Sequence, residues 1–267
     1  MPSSHLLAID IGNTNIVLGI CNDEQMTVHW SIATDRERTA DEHAVLLMSL
    51  FERNQMTFDD IEGVVISASV PPLLTTLQEV SRRYLGVTPL VVGPGVRTGV
   101  RIRTDNPREV GPDRIANALA ARELYGAPAI VIDFSTATTF DAISAAGDYV
   151  GDAIAPGLGI AAEALFRQTA QLPRIELTAP PRAIGTNTVH SMQSGLVYGY
   201  VGLVEGMVRR FQAELQNGAR VIATGELAEV IAPHTDAIEI VNTKLTLAGL
   251  RMIYQLNRRG KIASNHC

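Results

Sequence analysis

The stretch Leu6-Leu7-Ala8-Ile9-Asp10-Ile11-Gly12-Asn13-Thr14-Asn15-Ile16-Val17-Leu18-Gly19-Ile20-Cys21 decides the fold. Two apolar runs, Leu6 to Ile9 and Ile16 to Cys21, flank a polar centre that opens on Asp10. Gly and Asn accept left-handed turn conformations, so the centre reads as the turn of a β-hairpin. Alone, a D-x-G-N-T turn leaves two readings open. It can be an ordinary surface hairpin. It can also be a phosphate loop, whose converging backbone N–H groups cradle oxygens while a strand-end carboxylate holds the metal that bridges them.

A second copy bears on that choice. Ile132-Asp133-Phe134-Ser135-Thr136-Ala137 repeats the shape of Ile9-Asp10-Ile11-Gly12-Asn13-Thr14, 123 residues downstream. Each is an apolar strand ending in Asp, a small or polar turn, and a returning strand. A repeat near half the chain length predicts duplicated domains. The sequence has no G-x-x-x-x-G-K-[ST] run, and no G-x-G-x-x-G opens a helix after a strand. Walker-type nucleotide binding and dinucleotide oxidoreduction are therefore disfavoured.

Outward from the two hairpins, strand and helix patterns alternate, which predicts an α/β fold. Met26 to Thr34 continues the first sheet, Ala40 to Arg53 has helical spacing, and Gly63 to Ser67 reads as a buried strand. Pro71 and Pro72 open a helix, as Pro does in a first turn. Asn187 to Gln216 is the longest helical candidate, with Gly195, Gly199, Gly202 and Gly206 on one face. Such a stripe suits the close approach of another segment; the alternative is two helices broken near Gly199. Residues 1–115 and 116–258 are expected as the two domains, with 259–267 as a frayed tail.

Composition narrows the function classes. Of the 267 residues 46% are hydrophobic and 19% charged, which suits a chain that buries a core. A net charge of -6 argues against coating nucleic acid, which needs clustered Lys and Arg. Cys21 and Cys267 are too few for a disulfide framework, and no Cys/His spacing resembles a zinc site. Met1 to His5 is short and polar, and the apolar run after it has only a strand's length, so neither a signal peptide nor a membrane span is expected. A cytoplasmic location follows from that reading. His29, His43 and His234 lack metal-like spacing and are expected at the surface or at edges.

Asp105-Asn106-Pro107-Arg108-Glu109-Val110-Gly111-Pro112-Asp113-Arg114 runs into a predicted helix. Asp113 falls in the first turn, where the helix dipole favours a carboxylate, and that alone would explain it. Beside Arg114, it could also accept a proton from an attacking hydroxyl while the guanidinium holds an anion.

The motifs at 10–15, 105–114, 133–139 and Gly185-Thr186-Asn187-Thr188-Val189-His190-Ser191-Met192-Gln193-Ser194-Gly195 resemble, in this order, those of type III pantothenate kinases. That family belongs to the acetate/sugar kinase, Hsp70 and actin superfamily. The resemblance spans Leu6 to about Arg258. It implies two duplicated ribonuclease H-like (actin-like ATPase) domains facing across a cleft. It also implies ATP-dependent phosphorylation of pantothenate, the first step of coenzyme A biosynthesis, by a homodimer using Mg²⁺ and a monovalent cation, K⁺ or NH₄⁺. By position, Asp10, Ile11, Gly12, Asn13, Thr14 and Asn15 would form the ATP phosphate loop, with Asp10 serving Mg²⁺ through the phosphates. Thr136 would contact ATP and Asp133 would ligate the monovalent cation. Gly111, Pro112, Asp113, Arg114 and Thr188 would form the pantothenate site, with Asp113 as proton acceptor.

Five positions depart from the family's pattern. Ser135, Asp152 and Glu226 stand where glycine is usual, Thr104 replaces a common Tyr and Pro112 a common Ala. A side chain at a positive-φ glycine, or one crowding a phosphate, would strain the site. These departures keep two further readings open: a non-catalytic nucleotide- or pantothenate-binding regulator, and a kinase for another small hydroxyl acceptor.

Overall fold

A computed structural model describes residues 5–22, 25–216 and 218–264. It forms two compact units that do not follow a single cut in the sequence. The first takes residues up to Gly99, Arg108–Ala120 and the chain from Thr246 on; the second takes Val100–Pro107 and Ala121–Leu245.

In the first unit, β1 (His5–Ile11) and β2 (Asn15–Cys21) form the expected hairpin, and β3 (Met26–Ala33) adds to it antiparallel. β4 (Ile61–Ala68) and β5 (Leu90–Val91) run parallel on the other side of β1, giving the order β3-β2-β1-β4-β5. Alternation of side chains sends Leu7, Ile9, Ile11, Ile16, Leu18, Ile20, Val64 and Ile66 into one core. Two helices, α1 (Ala40–Glu52) and α2 (Pro71–Arg83), supply that core's other wall through Ala44, Leu47, Phe51, Leu73, Leu77 and Val80. A capping box starts α1: Thr39 N–H donates to Glu42 Oε2 at 2.8 Å, and Glu42 N–H donates to Thr39 Oγ1 at 3.3 Å. The Thr39 N–H, and the Thr39 hydroxyl donating to the same Oε2 at 3.0 Å, hold the exposed Glu42 carboxyl below its ordinary range. His43 lies on the inner face of α1, 1% exposed, against the expectation of a surface position. It takes one turn of the stripe Ala40, His43, Ala44, Leu47, Phe51, and the 3.6-residue period overrides its polarity.

The sheet's second face is covered by α7 (Leu245–Ser264), which runs into the stretch expected as a tail; Asn265 to Cys267 lie outside the described residues. Leu247 packs on Gly19 and the Tyr254 ring on Gly63, both glycines where a Cβ would collide. Pairing α7 with α3 (Pro112–Tyr125) depends on Gly249, which lies against the Ala116 backbone.

The second unit repeats this plan. β6 (Ala129–Phe134) and β7 (Ala137–Ile143) form a hairpin, β8 (Tyr149–Pro156) extends it antiparallel, and β9 (Arg220–Thr224) and β10 (Ile240–Val241) lie parallel on the far side. Read from β8, the order is β8-β7-β6-β9-β10, the order of the first sheet. Its core packs Ile130, Ile132, Phe134 and Phe140 against α4 (Leu158–Gln168), α5 (Thr188–Glu214) and α6 (Ala228–Ile231). α5 is one helix of 27 residues, unbroken at Gly199. A Cβ at Gly195, Gly199 or Gly202 would have no neighbour within 4 Å, so no described segment of this chain makes the expected close approach.

Candidate active site

In the first unit, Asp10 sits half-buried near the end of β1, with Val17 as register partner on one side and Ser67 on the other. The turn beyond it is closed by Gly12 N–H donating to the Asn15 carbonyl at 3.0 Å. Thr34 braces the turn from β3's end: its N–H donates to Thr14 O at 2.9 Å and its hydroxyl to Gly12 O at 2.7 Å. Arg36 Nη2 donates to Asn13 Oδ1 at 3.3 Å, holding an exposed side chain on the tip. None of residues 12–15 has a positive φ. The expected left-handed turn is therefore absent, and glycine is needed for another reason. A Cβ on Gly12 would stand 2.8 Å from the Asn15 carbonyl oxygen and push the hairpin open.

The same unit holds the 111–114 segment. Gly111 O accepts the first helical bond of α3 from Ile115 N–H at 3.1 Å, and Pro112 takes the first position, where its missing N–H costs nothing. A Cβ on Gly111 would run into the Asp113 carboxylate, so that glycine leaves room for Asp113's present rotamer. Burial pushes the Asp113 carboxyl above the ordinary carboxylate range; backbone N–H bonds at Asp113 and Arg114, and the Arg114 charge, pull only partly against it. Arg114 itself is buried. One turn on, fully buried Asn117 accepts from Thr246 Oγ1 at 2.8 Å, tying α3 to α7.

In the second unit, Asp133 is 8% exposed near the end of β6, paired with Thr139 on β7 and Thr224 on β9. Two glycines fit its hairpin closely. Gly157, the N-cap of α4, abuts the backbone: a Cβ there would stand 2.7 Å from Ser135 O and collide with Thr136 O. Gly225 has φ +88°, and a Cβ would come within 2.6 Å of Asp133 Oδ1 and of the Phe134 carbonyl. The start of α4 is thus placed at the turn carrying Thr136, an N-terminus whose N–H groups favour an anion.

Thr188 is exposed at the first position of α5, where Asn187 Oδ1 caps the helix by accepting from His190 N–H at 2.9 Å. Gln193 Nε2 donates to Thr178 Oγ1 at 2.9 Å and Tyr198 OH to Pro180 O at 2.9 Å, pinning the Pro-rich 173–181 loop to the helix. The structure thus places Asp10 to Asn15 and Gly111 to Arg114 in the first unit, and Asp133, Thr136 and Thr188 in the second.

The side chains found in place of glycine cause no backbone strain. Ser135, Asp152 and Glu226 are exposed, and none has a positive φ. Ser135 Oγ donates to Ala137 O at 3.4 Å, and Asp152 accepts from Tyr149 OH at 2.9 Å. The same hydroxyl, with its single proton, lies 2.7 Å from Oδ1 of buried Asp141, so the two carboxylates share one donor. Thr104 is half-buried, its hydroxyl without a hydrogen-bond partner among the described residues. Sequence reasoning missed α4 and the two register partners Ser67 and Thr224. The Pro156-Gly157 pair was the one available signal for α4's start.

Two units of identical strand order, each with an aspartate near the end of its first strand and a tight turn beyond it, define a duplicated actin-like ATPase fold. Solved structures agree. MreB 5 of Spiroplasma citri bound to AMPPNP covers 98% of this chain and 99% of its own at TM-score 0.54 and 10% identity. The activator of the 2-hydroxyisocaproyl-CoA dehydratase from Clostridium difficile with bound ADPNP covers 98% and 97% at TM-score 0.52 and 11% identity. Within that fold, the type III pantothenate kinase family model matches residues 6–210. Proteins named type III pantothenate kinase from Moorella thermoacetica and Halalkalibacterium halodurans are 54% and 49% identical over 252 residues, 94% of this chain and 99% of theirs. The chain belongs to the type III pantothenate kinase family.

Proposed function

We propose that the chain transfers the γ-phosphoryl group of ATP to the hydroxyl of pantothenate, giving 4′-phosphopantothenate in the first step of coenzyme A biosynthesis. The hydroxyl oxygen forms the new P–O bond, the bond from the γ-phosphorus to the bridging oxygen breaks, ADP leaves, and the hydroxyl proton passes to Asp113. One observation carries the acceptor role: Asp113 is a half-buried carboxylate made more basic by its surroundings, at a helix start beside buried Arg114. Arg114 would hold the substrate's carboxylate, with Gly111, Pro112 and Thr188 as further pantothenate-binding residues.

The residues fit ATP with its cations. Glycines at 12, 157 and 225 let each hairpin turn, and in the second unit the start of α4, pack closely against backbone beside the strand-end carboxylates Asp10 and Asp133, which are the donors a phosphate-bound cation needs. In this reading Asp10 to Asn15 and Thr136 bind the nucleotide, Asp10 serves Mg²⁺ through the phosphates, and Asp133 holds K⁺ or NH₄⁺. Bound Mg²⁺ would neutralise charge on the phosphate oxygens. A cytoplasmic homodimer completes the reading. Supporting the dimer are the neighbour-free glycine face of α5 and the exposed Ile154, Ile160 and Ile184 of the same unit. No helix among the described residues is long and apolar enough to cross a membrane. The motive for a non-catalytic reading weakens, because the side chains in place of glycine are exposed at ordinary φ.

A coupled assay of ADP release with pantothenate, with and without K⁺, tests the proposal. Turnover that needs pantothenate and rises with K⁺ is expected. A folded protein that releases no ADP under these conditions overturns it.

A further inference from the structure

Ser67 is fully buried in β4, and its hydroxyl has no hydrogen-bond partner among the described residues. A buried hydroxyl left unmade costs stability, and native structures rarely keep one without a use. Its position suggests the use. In the parallel register, Ser67 is the direct partner of Asp10, so both side chains project from the same face of adjacent strands about 4.8 Å apart. Leu7, Ile9, Ile11 and Ile66 point to the opposite face, into the core, so Ser67 is not a core residue with a stray oxygen. The second unit repeats the pairing independently: Asp133 on β6 has buried Thr224 as its parallel partner on β9. In both units, therefore, the strand-end aspartate stands beside a buried hydroxyl residue from the neighbouring parallel strand.

We propose that Ser67 is a positioning residue for the Mg²⁺–nucleotide site: its hydroxyl donates to the Asp10 carboxylate and orients it toward the cation. The inference rests on the reading of Asp10 as the carboxylate that serves Mg²⁺. A carboxylate offers about four acceptor directions, so a hydroxyl can fix one oxygen and leave the other for the metal or its waters. Supporting bonds of this kind typically change metal affinity 10–100-fold when removed. Ser67 would be left unpaired in the metal-free protein and satisfied when the site is loaded.

The experiment compares wild type, Ser67→Ala and Ser67→Thr, the last introducing the residue type that the second unit uses. ADP binding is titrated calorimetrically against Mg²⁺, the Mg²⁺ and K⁺ concentrations for half-maximal turnover are measured, and unfolding is followed in metal-free buffer. Ser67→Ala is expected to raise the half-saturating Mg²⁺ about tenfold in both assays, leave the K⁺ requirement unchanged, and melt no lower than wild type without metal. Ser67→Thr is expected to restore the Mg²⁺ requirement. An unchanged Mg²⁺ requirement, an equal shift for Mg²⁺ and K⁺, or a Ser67→Ala protein that melts lower without metal overturns the proposal. Wild type that binds Mg²⁺–ADP without phosphorylating pantothenate would overturn the kinase reading instead, and the calorimetric comparison would still judge Ser67.

Discussion

Asp113→Asn keeps the side chain's shape and removes its ability to take a proton. The Asp113 carboxyl is raised mainly by burial, against the pull of Arg114 and two backbone N–H groups. Two consequences of opposite sign follow. For catalysis, a positioned general base contributes roughly 10²–10⁴-fold, so kcat should fall by about that factor while KM for pantothenate moves little. For stability, a raised carboxyl means the native state holds the proton more tightly than the unfolded chain does. Native stability is then full below the unfolded value, near pH 4, and is lost as pH rises through the higher folded value. At pH 7 the buried charge is a cost that Asn removes, so the variant should melt at or above the wild-type temperature. Near pH 3.5 that difference should vanish. Coupled kinetics at saturating ATP and thermal unfolding at both pH values would measure this. Wild type should also lose activity on the acid side at a pH above the ordinary Asp range. A variant that keeps a third of kcat, or that loses rate only because it melts lower, refutes the assignment.

Gly225→Ala should cost about 2 kcal/mol or more by urea unfolding, because a positive φ and the collision with Asp133 and the Phe134 carbonyl add; a loss under 0.5 kcal/mol would contradict the packing described. Ser135→Gly should slightly destabilise the protein, by about 0.5–1 kcal/mol of chain entropy, since Ser135 already has an ordinary φ. Its KM for ATP should stay within about twofold, and a large improvement would show that the side chain crowds the nucleotide. Burial lowers the His43 pKa, so the native state holds the ring neutral and loses stability as pH falls below the unfolded value of about 6.5. His43→Gln should flatten that loss between pH 7.5 and 5.5 in denaturant titrations, and an unchanged slope would refute it.

What could be read from the residues was whatever is local. The hairpin at Asp10, its echo at Asp133 and the long α5 all announce themselves through short-range pattern. α4 did not, and the reason is physical. Its core-facing stripe is Leu158, Ala161 and Ala162, mostly small residues, while the larger Ile160, Leu165 and Phe166 stay exposed and blur the pattern. β10 has two residues, too few for any alternation to show. His43 shows the converse: its place in a helical stripe was visible, but its polarity argued for the surface. The Gly12 turn was recognised for the wrong cause, because close packing and left-handed backbone call for the same residue. Register is the least legible property of all. That Ser67 lies beside Asp10 and Thr224 beside Asp133 depends on pairings across 57 and 91 residues, which no window of sequence contains.

The way α7 closes the first sheet also orders events during synthesis. Leu247 on Gly19 and Tyr254 on Gly63 join residues more than 190 positions apart, so one face of that sheet has no cover until almost the whole chain has left the ribosome. The second unit lies almost entirely within one continuous stretch and can finish first. The nascent first sheet must wait with Leu6, Ala8 and Val65 bare, and that interval is when a chaperone or a neighbouring nascent chain would find a surface to hold.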